Sequence, residues 1–293
     1  MPRMDIRPLQ LRDLTLPHGE EVPSLGLGTW RMGEDSDRRQ SEIDALRLAL
    51  DIGYRVIDTA EMYGEGGAET LLGDALVGAL RGPLVREQLF IVSKVLPQHA
   101  CVEGMIAACE RSLRRLRLDC LDLYLLHWRG RVPLKETVDA FEVLQRRGWI
   151  RHWGVSNFDL VDMRELMAVP GGRACSVNQV HYSLSARGIE FDLLPWQRLQ
   201  QLPVMAYSPI DQGALVDHPL LYELAERHGA TPAQVALAWV LAQPGVMAIP
   251  KAAQALHLRH NGQAAKLVLD GSDMSRLDRL FQTPSRKQLL SVR

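Results

Sequence analysis

Eight times along the chain, a short run of β-branched or apolar residues gives way to a polar or glycine-containing turn and then to a stretch of helical period. That alternation marks βαβ units around a parallel sheet, because a parallel strand needs a long crossover and a helix covers the sheet as the chain returns. The predicted strands are Ser24–Gly28, Val56–Thr59, Leu89–Val95, Leu121–His127, His152–Ser156, Ser176–Val180, Val204–Ser208 and Val246–Pro250. Eight units predict an α/β fold of the (β/α)8 type, a TIM barrel. A chain of 293 residues, 46% of them apolar, is long enough to close one such domain over residues 1–293.

Runs such as LDLYLLH (121–127) and QLFIVSKV (88–95) are mostly apolar rather than alternating, as expected where helices cover a strand outside and side chains fill the barrel inside. Ile43, Leu46, Leu50 and Ile52 fall mainly at helical steps, with Ser41 placed to cap that helix. Thr231-Pro232 repeats the logic, a hydroxyl cap followed by proline at the first helical position. Before the barrel, 11–16 joined through Pro17-His18-Gly19 to 20–23 reads as a β-hairpin that plugs the barrel bottom. An open doubly wound sheet is the alternative, but no strand is followed by the GxGxxG turn that such a fold uses for pyrophosphate.

A formal net charge of −1 leaves no basic stripe for nucleic-acid phosphates or an anionic membrane surface. No apolar run reaches about 18 residues, and MPRMDIRPLQ has no hydrophobic stretch of the signal-peptide kind. Nucleic-acid and membrane partners are therefore not expected, and a cytoplasmic protein is. Cys101, Cys109, Cys120 and Cys175 lack CxxC spacing, which suits structural thiols in a reducing compartment. No HExxH or other metal-ligand pattern occurs.

In a (β/α)8 barrel the active site lies at the carboxyl ends of the strands, so polar residues there carry the functional reading. Asp58 ends the second predicted strand, Tyr63 follows in its loop, Lys94 ends FIVSK and His127 ends LYLLH. Taken singly, each has a plain structural reading: a packed histidine, an amphipathic core tyrosine, a barrel salt bridge. Together they bring an acid, a base and a phenol to one mouth, a group suited to proton transfer. A phenol has a pKa of about 10, and a neighbouring ammonium favours the phenolate, so Lys94 is expected to lower Tyr63. Asp58 would keep Lys94 charged. Neutral His127 would hydrogen-bond a carbonyl oxygen and share proton donation at low pH.

The strings GLGTW, DTAEMYG, SK (93–94), LLHW, GVSNF, NQV, AYSP and IPK occur in an order that resembles the aldo-keto reductases over essentially the whole chain. GTWRMGED, RGIEFDLLPW and VMAIPKAA are most similar to bacterial members of the methylglyoxal reductase type. The resemblance implies that Asp58, Tyr63, Lys94 and His127 form a catalytic tetrad reducing carbonyls with NADPH, or with NADH. It implies that Ser156, Asn157 and Gln179 hold the nicotinamide carboxamide and that Tyr207 stacks on the ring. Ser208, Pro209, Ile210 and Gly213 would close over the pyrophosphate, and Lys251, Ala252, His257 and Asn261 would stand at the 2′-phosphate. Thr29, Trp30, Asp58 and Ile249 complete the cofactor contacts so implied.

Ala252 and His257 depart from the family pattern of a hydroxyl and an arginine, which predicts only a moderate preference for NADPH. Trp30 and Trp128, with Tyr63 and His127, are expected to line the substrate pocket, although core packing is an alternative for each tryptophan. The short loop from Trp128 to Leu134 and the thirteen residues after Leu280 predict an open pocket. Arg129 and Arg131 suggest small dicarbonyls or aldehydes bearing an anionic group. A monomer acting on small carbonyl compounds is expected. Two other functions remain open, a Schiff-base aldolase using Lys94 and a non-catalytic cofactor-sensing barrel.

Overall fold

The computed structural model describes residue 9 and residues 11–292; the rest of the decapeptide MPRMDIRPLQ, on which the expectation of no signal peptide rests, lies outside them. Two strands, β1 (Asp13–Thr15) and β2 (Glu21–Pro23), form an antiparallel hairpin with Leu14 opposite Val22. Eight more follow: β3 (Leu27–Gly28), β4 (Val56–Asp58), β5 (Phe90–Val95), β6 (Leu121–Leu126), β7 (Ile150–Ser156), β8 (Asn178–His181), β9 (Val204–Tyr207) and β10 (Val246–Ala248). These pair in parallel in chain order from β3 to β10. Bridges Leu25–Ala248 and Gly28–Lys251 join the first strand region to the last and close the barrel.

The helices are α1 (Arg39–Ile52), α2 (Gly67–Ala79), α3 (Val102–Leu116), α4 (Leu134–Arg146), α5 (Leu160–Ala168), α6 (Leu193–Leu199), α7 (Pro219–His228), α8 (Pro232–Leu241), α9 (Ala255–Ala264) and α10 (Gly271–Leu280). None among the described residues is long and apolar enough to cross a membrane. Thr231 caps α8, its hydroxyl accepting from the Gln234 amide at 3.3 Å. Ser41 does not cap α1: the helix starts two residues earlier, and the Ser41 hydroxyl donates back to the Arg38 carbonyl at 2.8 Å. A serine inside the first turn satisfies a carbonyl there and leaves the first amides to other partners.

Several strand limits also differ from the sequence reading. Ser24–Gly28 shortens to Leu27–Gly28, with Leu25 left as an isolated bridge to Ala248; a Cβ at Gly28 would stand 2.9 Å from the Ile249 carbonyl oxygen. The strand expected at Ser176–Val180 lies at Asn178–His181, and β7 begins at Ile150. Such limits follow the register of neighbouring strands, which local composition does not carry.

Side-chain alternation sorts the core into two compartments. Val56, Phe90, Val92, Leu123, Leu125, Val177, Met205 and Met247 fill the barrel interior, and Leu16 and Val22 of the hairpin region pack into the same cluster as its plug. Ile57, Ile91, Tyr124, Leu126, Val155 and Ala206 face the helices. Glu20 fastens the hairpin from outside, accepting from Arg151 at 2.7 Å and lying 2.5 Å from His152 Nε2. With a period of two, each inward row continues upward to a residue at the carboxyl end. Val56 leads to Asp58, Val92 to Lys94, Leu125 to His127, Val177 to Gln179 and Met205 to Tyr207.

Candidate active site

The polar tops of those rows meet at one mouth. Lys94 is fully buried there, and its Nζ donates to Asp58 Oδ2 at 2.7 Å, to the Thr59 carbonyl at 2.9 Å and to Tyr63 Oη at 3.1 Å. Asp58 accepts a further bond from Gln179 Nε2 at 2.8 Å. An ammonium donates and cannot accept, so the Tyr63 oxygen is the acceptor in its pair with Lys94. The phenol proton is therefore left for a different acceptor.

Burial dominates the electrostatics. It raises the Tyr63 pKa, and Lys94 opposes that rise without reversing it, while Asp58 adds to it. The expectation that Lys94 would leave Tyr63 below its ordinary value is therefore corrected: desolvation decides, and the Asp58 carboxylate works against the ammonium. Burial likewise raises Asp58 against the pull of Lys94. For Lys94, burial lowers the pKa, but Asp58 and Tyr63 outweigh it and the net direction is upward. Tyr63 is thus held as a protonated phenol beside a committed cation.

His127 sits across from Tyr63, ring centroids 5.8 Å apart and nearly perpendicular. Burial, with a smaller contribution from Lys94, lowers its pKa to about 3. Its Nδ1 is buried with no hydrogen-bond partner among the described residues. The imidazole is neutral at any ordinary pH, so the expected low-pH proton donation by His127 is withdrawn. A neutral imidazole still has one N–H to give, and an orphaned buried ring nitrogen here marks a place for a ligand atom.

This depression has a stability consequence. The folded-state value lies below the ordinary 6.5, so the unfolded chain takes up the proton first, and stability is lost as pH falls from about 6.5 toward 3. Between pH 7 and pH 5 this one group should remove about 2 kcal/mol from the unfolding free energy. Denaturant titrations of wild type and His127→Gln at both pH values check this. If the variant loses as much stability as wild type, the burial cost lies elsewhere.

A cavity of about 750 Å³ runs from Tyr63 and His127 past Ser156, Asn157, Gln179 and Tyr207 to Lys251, His257 and Asn261. Asn157 is central to its wall: its Nδ2 donates to the His127 carbonyl at 3.1 Å, and its Oδ1 accepts from Tyr207 Oη at 3.0 Å. The Ser156 hydroxyl donates to the Gln179 carbonyl at 2.9 Å. Ser208, Pro209, Ile210, Gly213 and Ile249 line the same cavity, as does Trp30. Among the described residues eight non-glycine residues have positive φ, and all but Arg117 and Gln201 lie in loops at this end of the barrel: Arg31, Glu65, Asn157, Ser208, Asp211 and Gln212. Left-handed backbone is unfavourable for such residues, and its clustering here marks a site whose shape outweighs local preference.

Other expected residues stand apart from the lining. Thr29 is buried, and its hydroxyl donates to the Asp58 carbonyl at 3.0 Å, so it braces the strand ends from behind. Ala252 is also buried and absent from the cavity wall. Trp128 is 37% exposed and leans on His127, centroids 4.9 Å apart, outside the lining. Arg129 is tied to Glu165 at 2.8 Å, and neither it nor Arg131 borders the cavity. Several wall residues escaped the sequence reading, among them Arg31, whose guanidinium lies 4.5 Å over the Trp30 ring, Met62, Gln212 and His260. Arg31 follows GTW directly, so its place after a strand end was a signal that could have found it.

Fold and site together define a (β/α)8 oxidoreductase. The chain matches the aldo/keto reductase family over residues 24–282 and belongs to that family. It is 48% identical over 276 residues to methylglyoxal reductase YeaE of Escherichia coli (strain K12), covering 92% of this chain and 95% of that one. It is 36% identical over 274 residues to glyoxal reductase of Bacillus subtilis (strain 168), covering 93% and 94%. Among solved structures, an aldo/keto reductase from Klebsiella pneumoniae in complex with NADP and acetate superposes with a TM-score of 0.92 at 48% identity, covering 97% of this chain and 100% of that one.

Proposed function

We propose that the protein is an NADPH-dependent reductase of small aldehydes and ketones, 2-oxoaldehydes such as methylglyoxal among them, with Tyr63 as the proton donor. The observation that carries this reading is the 3.1 Å bond from Lys94 to Tyr63, with Lys94 locked on Asp58 at 2.7 Å, beside a cavity of about 750 Å³ that Tyr63 lines. The Klebsiella pneumoniae relative was crystallised with NADP, and the donor set here suits the same cofactor. Asn157 and Gln179 offer amides for a carboxamide, Tyr207 a flat face for a ring, and Arg31 and Lys251 a basic rim for phosphates. The bound cofactor supplies the hydride for the carbonyl carbon. Tyr63 gives its proton to the carbonyl oxygen, His127 hydrogen-bonds that oxygen, and Lys94 with Asp58 stabilises the phenolate left behind.

Trp30, Met62, Tyr63 and His127 wall the reacting end, which favours small, largely apolar carbonyl compounds. With Arg129 engaged by Glu165, the basis for a preference for anionic aldehydes falls away. The aldolase alternative suffers because Lys94 is fully buried, spends its hydrogen bonds on three acceptors and does not border the cavity. One barrel, acting as a monomer in the cytoplasm, completes the proposal; the four cysteines are free thiols, in keeping with that compartment. Loss of NADPH absorbance with methylglyoxal, glyoxal and short aldehydes tests it. Failure to turn over any of them would end this reading.

The basic rim predicts cofactor choice. Burial lowers the Lys251 pKa; Glu42 and Glu34 oppose that fall while Arg38 and Arg31 add to it, so Lys251 stands in a rim of mixed charge where an added phosphate would favour its charged form. Lys251→Ala should cut the ratio of kcat/KM for NADPH over NADH by about tenfold, the scale of one charge-assisted hydrogen bond. An unchanged ratio would mean that Arg31 or the histidines at 257 and 260 bear the discrimination instead.

A further inference from the structure

Behind the cavity wall, Tyr207 is backed by a residue that the reaction does not use. His181 is the next inward position of β8 above Gln179, and it pairs in register with Tyr207 on β9. The two rings stack with centroids 5.5 Å apart and planes 14° from parallel. His181 is 2% exposed and does not border the cavity. Its two nitrogens reach two different segments of chain. Nδ1 lies 2.9 Å from the hydroxyl of Ser291 in the C-terminal tail, and Nε2 lies 3.6 Å from Asp211 Oδ1.

Both of those segments are unusual. Asp211 and Gln212 take left-handed backbone, at φ 50° and 55°, and Gln212 and Gly213 form part of the cavity wall. Two consecutive non-glycine residues in that region cost about 1 kcal/mol or more each and persist only when the surroundings hold them. The holding group is the Asp211 carboxylate, which is buried and accepts from the Ser185 hydroxyl at 2.8 Å while facing His181. The tail is fastened along its length: Arg187 donates to the Phe281 carbonyl at 2.5 Å and to Thr283 Oγ1 at 2.9 Å, and Lys287 lies 3.5 Å from both Asp159 and Asp192. Ser291 is the point at which this strap meets the imidazole.

We propose that His181 is a positioning residue that couples the seated C-terminal tail to the cofactor-holding loop 208–213 and to the Tyr207 ring. The tail holds the imidazole through Nδ1, the imidazole turns Nε2 to Asp211 Oδ1 at 3.6 Å, an electrostatic contact longer than a hydrogen bond, and Asp211 holds the strained loop in this arrangement before cofactor arrives. Preordering a loop in this way removes part of the entropic cost of binding, so the coupling appears in cofactor affinity and residence time. The role rests on the proposal that this cavity binds NADPH.

The test is NADPH binding by quenching of tryptophan fluorescence, with Trp30 in the cavity wall as a reporter, in His181→Phe, Ser291→Ala and the double variant. Phenylalanine keeps a flat ring against Tyr207 and removes both nitrogens. It should raise the Kd about five- to tenfold, through faster release, and Ser291→Ala about two- to threefold. Because both act through one link, the double variant should bind no more weakly than His181→Phe alone, a non-additivity that loss of unrelated packing would not produce. Multiplicative effects would overturn the coupling. So would an unchanged Kd in Ser291→Ala, a mild tail substitution that keeps the test open even if His181→Phe fails to fold. Wild type that binds NADPH tightly, with variants equal to it, removes this role alone; wild type that binds none removes the functional reading and this role with it.

Discussion

Tyr63→Phe should lower kcat for carbonyl reduction by about 10²–10⁴-fold, the usual contribution of a positioned general acid, with little change in NADPH affinity. The phenyl ring keeps its packing against His127, whose centroid is 5.8 Å away, and the hydroxyl is lost, both its transferable proton and the oxygen that accepts from Lys94. The geometry adds a directional reason for the size of the effect. Lys94 donates to the Tyr63 oxygen at 3.1 Å, so the phenol proton has no use within that pair and is the one free to leave. Steady-state kinetics with methylglyoxal, alongside fluorescence binding of NADPH, separates the two quantities. Retention of more than about a tenth of wild-type kcat would remove Tyr63 from the role of acid, since that loss is too small for general-acid catalysis.

Lys94→Met should reduce kcat by about 10²-fold or more and also destabilise the fold, because it takes away one member of a buried pair. Asp58 would keep its bond from Gln179 at 2.8 Å, but with Lys94 gone the cause that lowers its pKa most is gone too. Its carboxyl should then be neutral over a wider pH range, which limits the loss of stability relative to an unpaired charge. The pH profile carries the sharper prediction. Without the ammonium, nothing opposes burial and the Tyr63 pKa rises further, so the alkaline limb of alcohol oxidation, which needs the phenolate, should move upward. A variant with unchanged kcat and an unmoved alkaline limb would reduce Lys94 to a structural cation.

Much of the site was legible because barrel strands obey a period of two. Once FIVSK and LYLLH are recognised as strands, Lys94 and His127 must top inward rows, and the mouth is where inward rows end. Asp58 and Gln179 follow by the same rule, and their hydrogen bond links residues 121 positions apart. Residues placed just past a strand end or by the family pattern do not all reach the cavity wall. Trp128 and Arg129 adjoin His127 in the chain, but the strand has ended there and the loop turns them toward solvent and Glu165. Ala252 adjoins Lys251 and yet is buried outside the cavity lining. Ser41 fell one turn inside the helix it was expected to cap, since helix starts shift by a residue or two with tertiary context.

The sequence by itself determined the eight-unit barrel, the plugging hairpin and the gathering of an acid, an ammonium, a phenol and an imidazole at one end. These follow from periodicity and strand-end position, which are local properties of the chain. Only the tertiary structure decided the charge states and the supports. Tyr63 rises rather than falls in pKa because its burial depends on how the whole barrel mouth packs, which outweighs the pull of Lys94. His127 falls to about 3 for the same reason, since desolvation depends on every atom packed around a group and not on its neighbours in the chain. The link from Ser291 through His181 to Asp211 spans more than a hundred residues and leaves no periodic trace, so only the folded chain could bring it into view.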